Sequence, residues 1–282
     1  MDVALKYSLY AVLFVVLLSL WGFYLALRPF RYTTSITPAD MGVPYEDISF
    51  KTSDGVTIKG WFIPSEQKNA KTILMLHGYP ADKGDILPTR LFLHKHYNLM
   101  FMDFRYLGKS GGHFSTVGVY EVRDVRAAID YLQSRGIHEL GIWGLSMGGA
   151  SALMTLNNAP EIKAMIAEAP YARLDWMAHR HYPIPGLNYL IGNLFRFWAA
   201  IFLQTDISKI NPVEAAKAAT IPLLLIYSRN DQLVTVEHAE LMQQETASNN
   251  HVEMIIVDDK THNEVLDNYR EVVGEFFKKN LR

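Results

Sequence analysis

A serine lies between two glycines in Gly144-Leu145-Ser146-Met147-Gly148, after a short apolar run, Leu140-Gly141-Ile142-Trp143, and before a small-residue stretch, Gly149-Ala150-Ser151-Ala152-Leu153. In a strand-turn-helix setting, G-x-S-x-G folds so sharply that the seryl hydroxyl projects from the turn, and its neighbours must lack a Cβ for the backbone to fold there. A serine held this way is suited to attack an acyl carbonyl. Its hydroxyl is a weak nucleophile at neutral pH, so it needs a base within hydrogen-bond reach and an acid that holds the base in the useful tautomer.

Both partners are expected on loops at the carboxyl ends of strands, the edge at which open parallel sheets bind ligands. Asp231 follows the apolar run Leu223 to Tyr227 through Ser228-Arg229-Asn230, and His262 follows Val252 to Val257 through Asp258-Asp259-Lys260-Thr261. Asp258 and Asp259 are alternative acids, and Asp231 could instead cap a helix starting near Thr235. Eight other histidines, His94, His96, His113, His138, His179, His181, His238 and His251, lie before the last strand or in expected helices, cap or loops. His77 directly follows a strand and precedes Gly78, where hydrogen bonding to backbone is the expected role. A tetrahedral intermediate also needs backbone donors for its oxyanion. The amides of Met147, just after the nucleophile, and of Tyr79, in Leu76-His77-Gly78-Tyr79-Pro80, are the candidates, since Pro80 has no N–H.

The elements that must position these residues alternate along the chain. Ile48 to Phe50 and Val56 to Ile63 flank Ser53-Asp54-Gly55, a hairpin signal. Apolar runs follow at Thr72 to Leu76, Leu99 to Asp103, Leu140 to Trp143, Ala164 to Glu168, Leu223 to Tyr227 and Val252 to Val257, with helical spacing in intervening segments such as Val119 to Ser134. Runs without in-out alternation belong to strands covered on both faces, so the pattern predicts an α/β fold with a mainly parallel sheet and helices on both sides. Residues 171–210 interrupt the alternation and read as a short helical cap. The middle of that insertion, residues 182–203, is rich in Tyr, Phe, Trp, Leu and Ile, but Asn188, Asn193 and Arg196 argue against a second spanning helix. It is either a helix packed on the core or a lid that touches lipid.

At 282 residues and 49% hydrophobic content the chain can bury one large core. A net charge of −2 and scattered Lys and Arg offer no field for phosphates, so nucleic acid is not an expected partner. With no cysteine there is no disulfide, thiolate metal site or Cys nucleophile. Between Lys6 and Arg28, residues Tyr7 to Leu27 carry no formal charge and as a helix would span ~32 Å, enough to cross a bilayer. Bulky Trp21, Phe23, Tyr24 and Leu25 stand where a secretory signal would carry a small-residue cleavage site, so an uncleaved single-pass anchor is expected. Lys6 and the α-amino group balance Arg28 and Arg31, leaving the orientation unassigned. The expected organisation is an anchor over residues 1–28, a Pro-containing tether over 29–45 and a catalytic domain over 46–282.

The His77-Gly78 loop, Asp103-Phe104-Arg105-Tyr106-Leu107-Gly108-Lys109-Ser110-Gly111, the turn at Ser146, Asn230-Asp231-Gln232-Leu233-Val234 and His262 together resemble the α/β-hydrolase superfamily. Within it, the chain is similar to membrane-tethered serine aminopeptidase-like and monoacylglycerol lipase-like hydrolases. Tyr106 departs from the family pattern, which has Gly after Arg. The resemblance, with its Ser, Asp, His chain order, implies a triad of Ser146, Asp231 and His262, an oxyanion hole from the Tyr79 and Met147 amides, and no metal or organic cofactor. It implies hydrolysis of carboxylic esters or thioesters of a small-molecule or lipid acyl substrate. The alternatives are a peptidase, in which Glu168 or Asp175 would receive a substrate amine, and an inactive membrane-tethered binding module.

Overall fold

The computed structural model describes residues 2–180, 187–258, 260–262 and 267–281. The expected cap residues 181–186, including His181, and the alternative acid Asp259 lie outside the described residues. The chain divides into two compact units, one formed by Phe30–Ala172 with Asn211–Arg282 and the other by Met1–Pro29 with Arg173–Ile210. In chain order the strands are β1 (Glu46–Lys51), β2 (Thr57–Ile63), β3 (Thr72–Leu76), β4 (Asn98–Met102), β5 (Leu140–Leu145), β6 (Ile162–Glu168), β7 (Leu223–Ser228) and β8 (Val252–Val257). The helices are α1 (Val3–Leu27), α2 (Lys83–Arg90), α3 (Glu121–Ser134), α4 (Met147–Thr155), α5 (Leu174–Arg180), α6 (Leu187–Phe202), α7 (Pro212–Lys217), α8 (Val236–Thr246) and α9 (Tyr269–Asn280).

The larger unit is an α/β-hydrolase fold, with one eight-stranded sheet in the order β1-β2-β4-β3-β5-β6-β7-β8. β1 and β2 form the antiparallel entry, turned through Gly55 at φ +83°, and β3 to β8 pair in parallel. Every residue of β3 is buried, as expected where both faces are covered. The register sets the functional edge. Leu76 pairs with Gly144, Leu145 with Glu168, Glu168 with Ile226, and Ser228 with Val257, so the strands end side by side and their following loops rise from one rim.

Those loops are built on buried charge. Asp103 accepts from the Lys83 amide at 2.9 Å, the Lys83 ammonium at 2.6 Å and the Lys109 amide at 2.8 Å. A Cβ on Gly108 would lie 2.3 Å from the Asp103 carboxyl carbon. Tyr106, where the related pattern has Gly, takes φ +66°, a left-handed conformation that costs a residue with a Cβ about 1–2 kcal/mol. Residues 30–37 are also fastened to this unit. Arg31 donates to the carbonyls of Gly108 and Ser110 at 2.7 and 2.6 Å, Tyr32 to Asp85 at 2.6 Å, and the Thr34 amide to Asp82 at 2.7 Å.

In the smaller unit α1 is long and apolar enough to cross a membrane, with a mean hydropathy of 2.2 over its most apolar window. It packs against α6. Phe23 meets Phe195 edge-on at 5.7 Å and stacks on Phe202 at 6.3 Å, while the Trp198 indole donates to Ser19 at 3.1 Å.

The contrast between buried and exposed ion pairs is testable. Lys83 and Asp103 have side-chain exposures of 2% and 0%. Asp103→Ala strands the ammonium and is expected to destabilise the protein by about 3–5 kcal/mol. Glu139→Gln, which removes an exposed partner of Lys71, should change stability by about 1 kcal/mol or less. Denaturant unfolding of the purified full chain measures both.

Candidate active site

The site begins with a strained turn. Ser146 follows β5 at φ +52° and ψ −118°, a conformation that costs a residue with a Cβ about 1–3 kcal/mol and persists only when its surroundings enforce it. Its amide donates to the Glu168 carbonyl at 2.7 Å, and its own carbonyl accepts from Ala150 at 3.0 Å in the first turn of α4. A Cβ on Gly144 would lie 2.5 Å from the Gly149 amide nitrogen, and one on Gly148 would lie 2.6 Å from the His77 carbonyl oxygen. The expected need for two glycines therefore has a direct cause, the close crossing of α4 over β5 and the loop after β3.

That loop passes immediately over the serine, since a Cβ on Gly78 would lie 3.3 Å from the Ser146 Cβ. His77 shapes it. Its Nδ1 pairs with the Gly78 carbonyl at 2.7 Å, while Nε2 accepts from the Phe104 amide at 3.0 Å, which fixes a neutral ring with the proton on Nδ1. Burial lowers its pKa below the ordinary value. Tyr79 follows Gly78 in this loop, and Met147 is the first residue of α4, where an N–H has no carbonyl four residues earlier within the helix to bond.

The acid and base candidates meet across the loops that follow β7 and β8. His262 Nδ1 and Asp231 Oδ2 are 2.5 Å apart, with side-chain exposures of 11% and 1%. Asp231 Oδ1 accepts from the amides of Leu233 and Val234 at 2.8 and 2.9 Å, so one carboxylate both orders its turn and holds the imidazole. The Ser228 hydroxyl joins the same two loops by donating to the Lys260 carbonyl. Asp258 is exposed and paired with Arg229 at 2.9 Å. No direct hydrogen bond joins the Ser146 hydroxyl to His262 among the described residues. The serine abuts Gly78, and His262 and Gly78 line a common cavity of about 410 Å³ with Tyr79, Leu145, Arg90 and Glu168.

Arg90 carried no signal in the sequence because it sits in an ordinary helical segment. In the structure it is buried, donates to Glu168 at 3.0 Å and to the Trp143 carbonyl at 3.1 Å, and lies 4.2 Å over the Trp143 ring. Glu168 also accepts from the Trp143 indole at 3.3 Å. Burial raises the Glu168 pKa, an effect opposed by Arg90. The cavity wall thus carries a compensated ion pair amid apolar residues. Asp175, the other carboxylate singled out as an amine receiver, is paired with Arg173 at 2.9 Å in the smaller unit. Among the described residues, no group of three or more His, Asp or Glu side chains is arranged to hold a metal ion.

Residues 92–281 match the prolyl oligopeptidase family. The chain is 27% identical over 246 residues to the protein YfhR of Escherichia coli K12, covering 84% of this chain and 78% of that one. It is 28% identical over 247 residues to protein bem46 of Schizosaccharomyces pombe, covering 82% and 78%. Among solved structures, the Pyrococcus furiosus esterase Pf2001 superposes with a TM-score of 0.74 at 29% identity, covering 90% of this chain and 99% of the esterase.

The buried neutral His77 predicts an acid-sensitive loop. Its folded pKa lies below the ordinary value of 6.5, so as pH falls through about 6.5 the unfolded chain takes up a proton that the folded ring refuses, and stability is lost. Above that pH the contribution is fully present. His77→Gln should therefore be less stable than wild type at neutral pH, by an amount that narrows toward pH ~5, as urea midpoints at the two pH values would show.

Proposed function

Because the chain belongs to the prolyl oligopeptidase family of α/β-hydrolases, we propose that it is a membrane-anchored serine hydrolase that cleaves carboxylic esters or thioesters of lipid-like acyl groups. The observation that carries this reading is the short Asp231–His262 contact on the sheet rim where the Ser146 turn also ends. With Nδ1–H directed to Asp231, Nε2 of His262 is left to take the seryl proton. Ser146 Oγ attacks the acyl carbonyl, the oxyanion is held by the Tyr79 and Met147 amides, and His262 returns the proton to the leaving group. Water then repeats the sequence and frees the acid. Hydrogen bonds between nucleophile and base often form or tighten only when substrate binds, so the reading does not require a direct Ser146–His262 bond beforehand.

Two observations favour ester over peptide cleavage despite the family name. A substrate ammonium would need an uncommitted carboxylate, yet Glu168 is held by Arg90 and Asp175 by Arg173. The Pyrococcus furiosus relative is an esterase. Anchoring by residues 7–27 is supported by α1 being packed on α6 through Ser19 and Phe23, which a cleaved signal would abandon.

Covalent labelling and substrate panels test the reading. A fluorophosphonate probe should label the wild type and leave Ser146→Ala unlabelled. Asp231→Asn should lower kcat on a p-nitrophenyl acyl ester by about 10⁴-fold, the scale expected when the imidazole is held in the wrong tautomer. Long-chain esters should turn over faster than acetyl esters and aminoacyl amides. Equal labelling of Ser146→Ala, or a strict preference for amides, would overturn the assignment.

A further inference from the structure

The helix α6 has two apolar faces, and among the described residues only one is used inside the smaller unit. Ile191, Phe195 and Ala199, spaced four apart, are buried, and Phe195 and Trp198 meet α1. Leu190, Phe197 and Ile201 lie on another face at i, i+7 and i+11, with exposures of 49, 53 and 50%. Asn193 and Arg196 form a separate polar seam, and Arg196 lies 3.8 Å from Asp206. A helix this apolar with a continuous exposed stripe calls for a covering phase.

The register of α6 on α1 identifies that phase. Ser19 and Phe23 precede Arg28 by nine and five residues, so at 1.5 Å per residue they sit about 14 and 8 Å inside the charged end of α1. Trp198 and Phe195 contact them directly. Whatever surrounds that half of α1 therefore surrounds α6 at the same depth. At 16 residues, about 24 Å, α6 is too short to cross the hydrocarbon by itself.

We infer that α6 lies within the bilayer leaflet entered by the C-terminal half of α1, with Leu190, Phe197 and Ile201 against lipid acyl chains and Arg196 reaching toward the headgroups. This rests on α1 being the membrane span. The protein then holds its membrane through a two-helix element, one spanning and one embedded in a single leaflet. The Trp198–Ser19 hydrogen bond ties the pair where little water competes for either partner. Arg196 can keep its charge by extending along the polar seam.

The chain has no cysteine, so single-cysteine variants carry an environment-sensitive NBD dye without background. Phe197→Cys and Ile201→Cys would report on the exposed stripe, Leu13→Cys on α1, and Lys217→Cys on the larger unit. Each full-length variant is first checked for wild-type circular dichroism and then reconstituted into phosphatidylcholine vesicles with or without acyl-chain doxyl lipid. The dyes at 197 and 201 should show blue-shifted emission and be quenched by doxyl lipid to an extent comparable with position 13 and several-fold more than position 217. Quenching at 13 with water-like emission at 197 and 201 would overturn the placement of α6 and leave the anchor standing. Blue-shifted emission at 197 and 201 without lipid quenching would mean that protein, such as a second copy, covers the stripe, and would also overturn it. No quenching at any position would remove the anchor, and the inference with it.

Discussion

Where α4 crosses the end of β5, the backbones approach so closely that neither Gly144 nor Gly148 could carry a side chain. This contact determines much of what surrounds it. It goes with a positive-φ turn at Ser146 and with the loop after β3 passing directly over the serine. The strain is offset by ordinary means: the Ser146 amide is satisfied by the carbonyl of Glu168 on the neighbouring strand, and α4 is almost entirely buried. Loosening the crossing would relax the serine into unstrained backbone and withdraw it from the rim.

The second requirement is that polar loops remain ordered over an apolar core. The solution is a set of buried carboxylates, each saturated by donors. Glu121 accepts from the Ser115 and Thr116 hydroxyls and from the amides of Thr116 and Gly118, at 2.6 to 2.8 Å. Asp124 takes the Arg105 amide and its guanidinium, which also reaches Asp54 in the β1–β2 hairpin. Asp103 and Asp231 follow the same rule. A carboxylate with several fixed donors acts as a rigid node, so these loops gain definition without regular secondary structure.

The legible part of the fold was the part governed by simple burial. Runs such as Ile73 to Leu76 are apolar at every position because helices cover both faces, and that alone marks a parallel strand. The sharp turn at Ser146 was readable because it demands glycines, and the meeting of Asp231 with His262 because they follow the last two apolar runs, which the sheet sets side by side. Arg90 was not readable: its partner Glu168 lies 78 residues away, and only the fold turns a surface-type residue into a cavity wall. The same holds for α1 and α6, whose pairing depends on a contact spanning 179 residues. The strand pattern also put the start of the catalytic domain at residue 46, because the segment before it has no period and its attachments are side chains binding single distant acceptors.

Those attachments bear on where the chain can be shortened. Tyr32 stands in the lining of the 410 Å³ cavity beside Asp85 and Tyr79, and Arg31 props the loop containing Gly108. A shortened chain beginning at β1 would retain every strand of the sheet while leaving one side of that cavity open. Beginning at Phe30 would discard the apolar helix α1 and keep the cavity walled, so the two truncations differ in the shape of that cavity while sharing the same turn at Ser146.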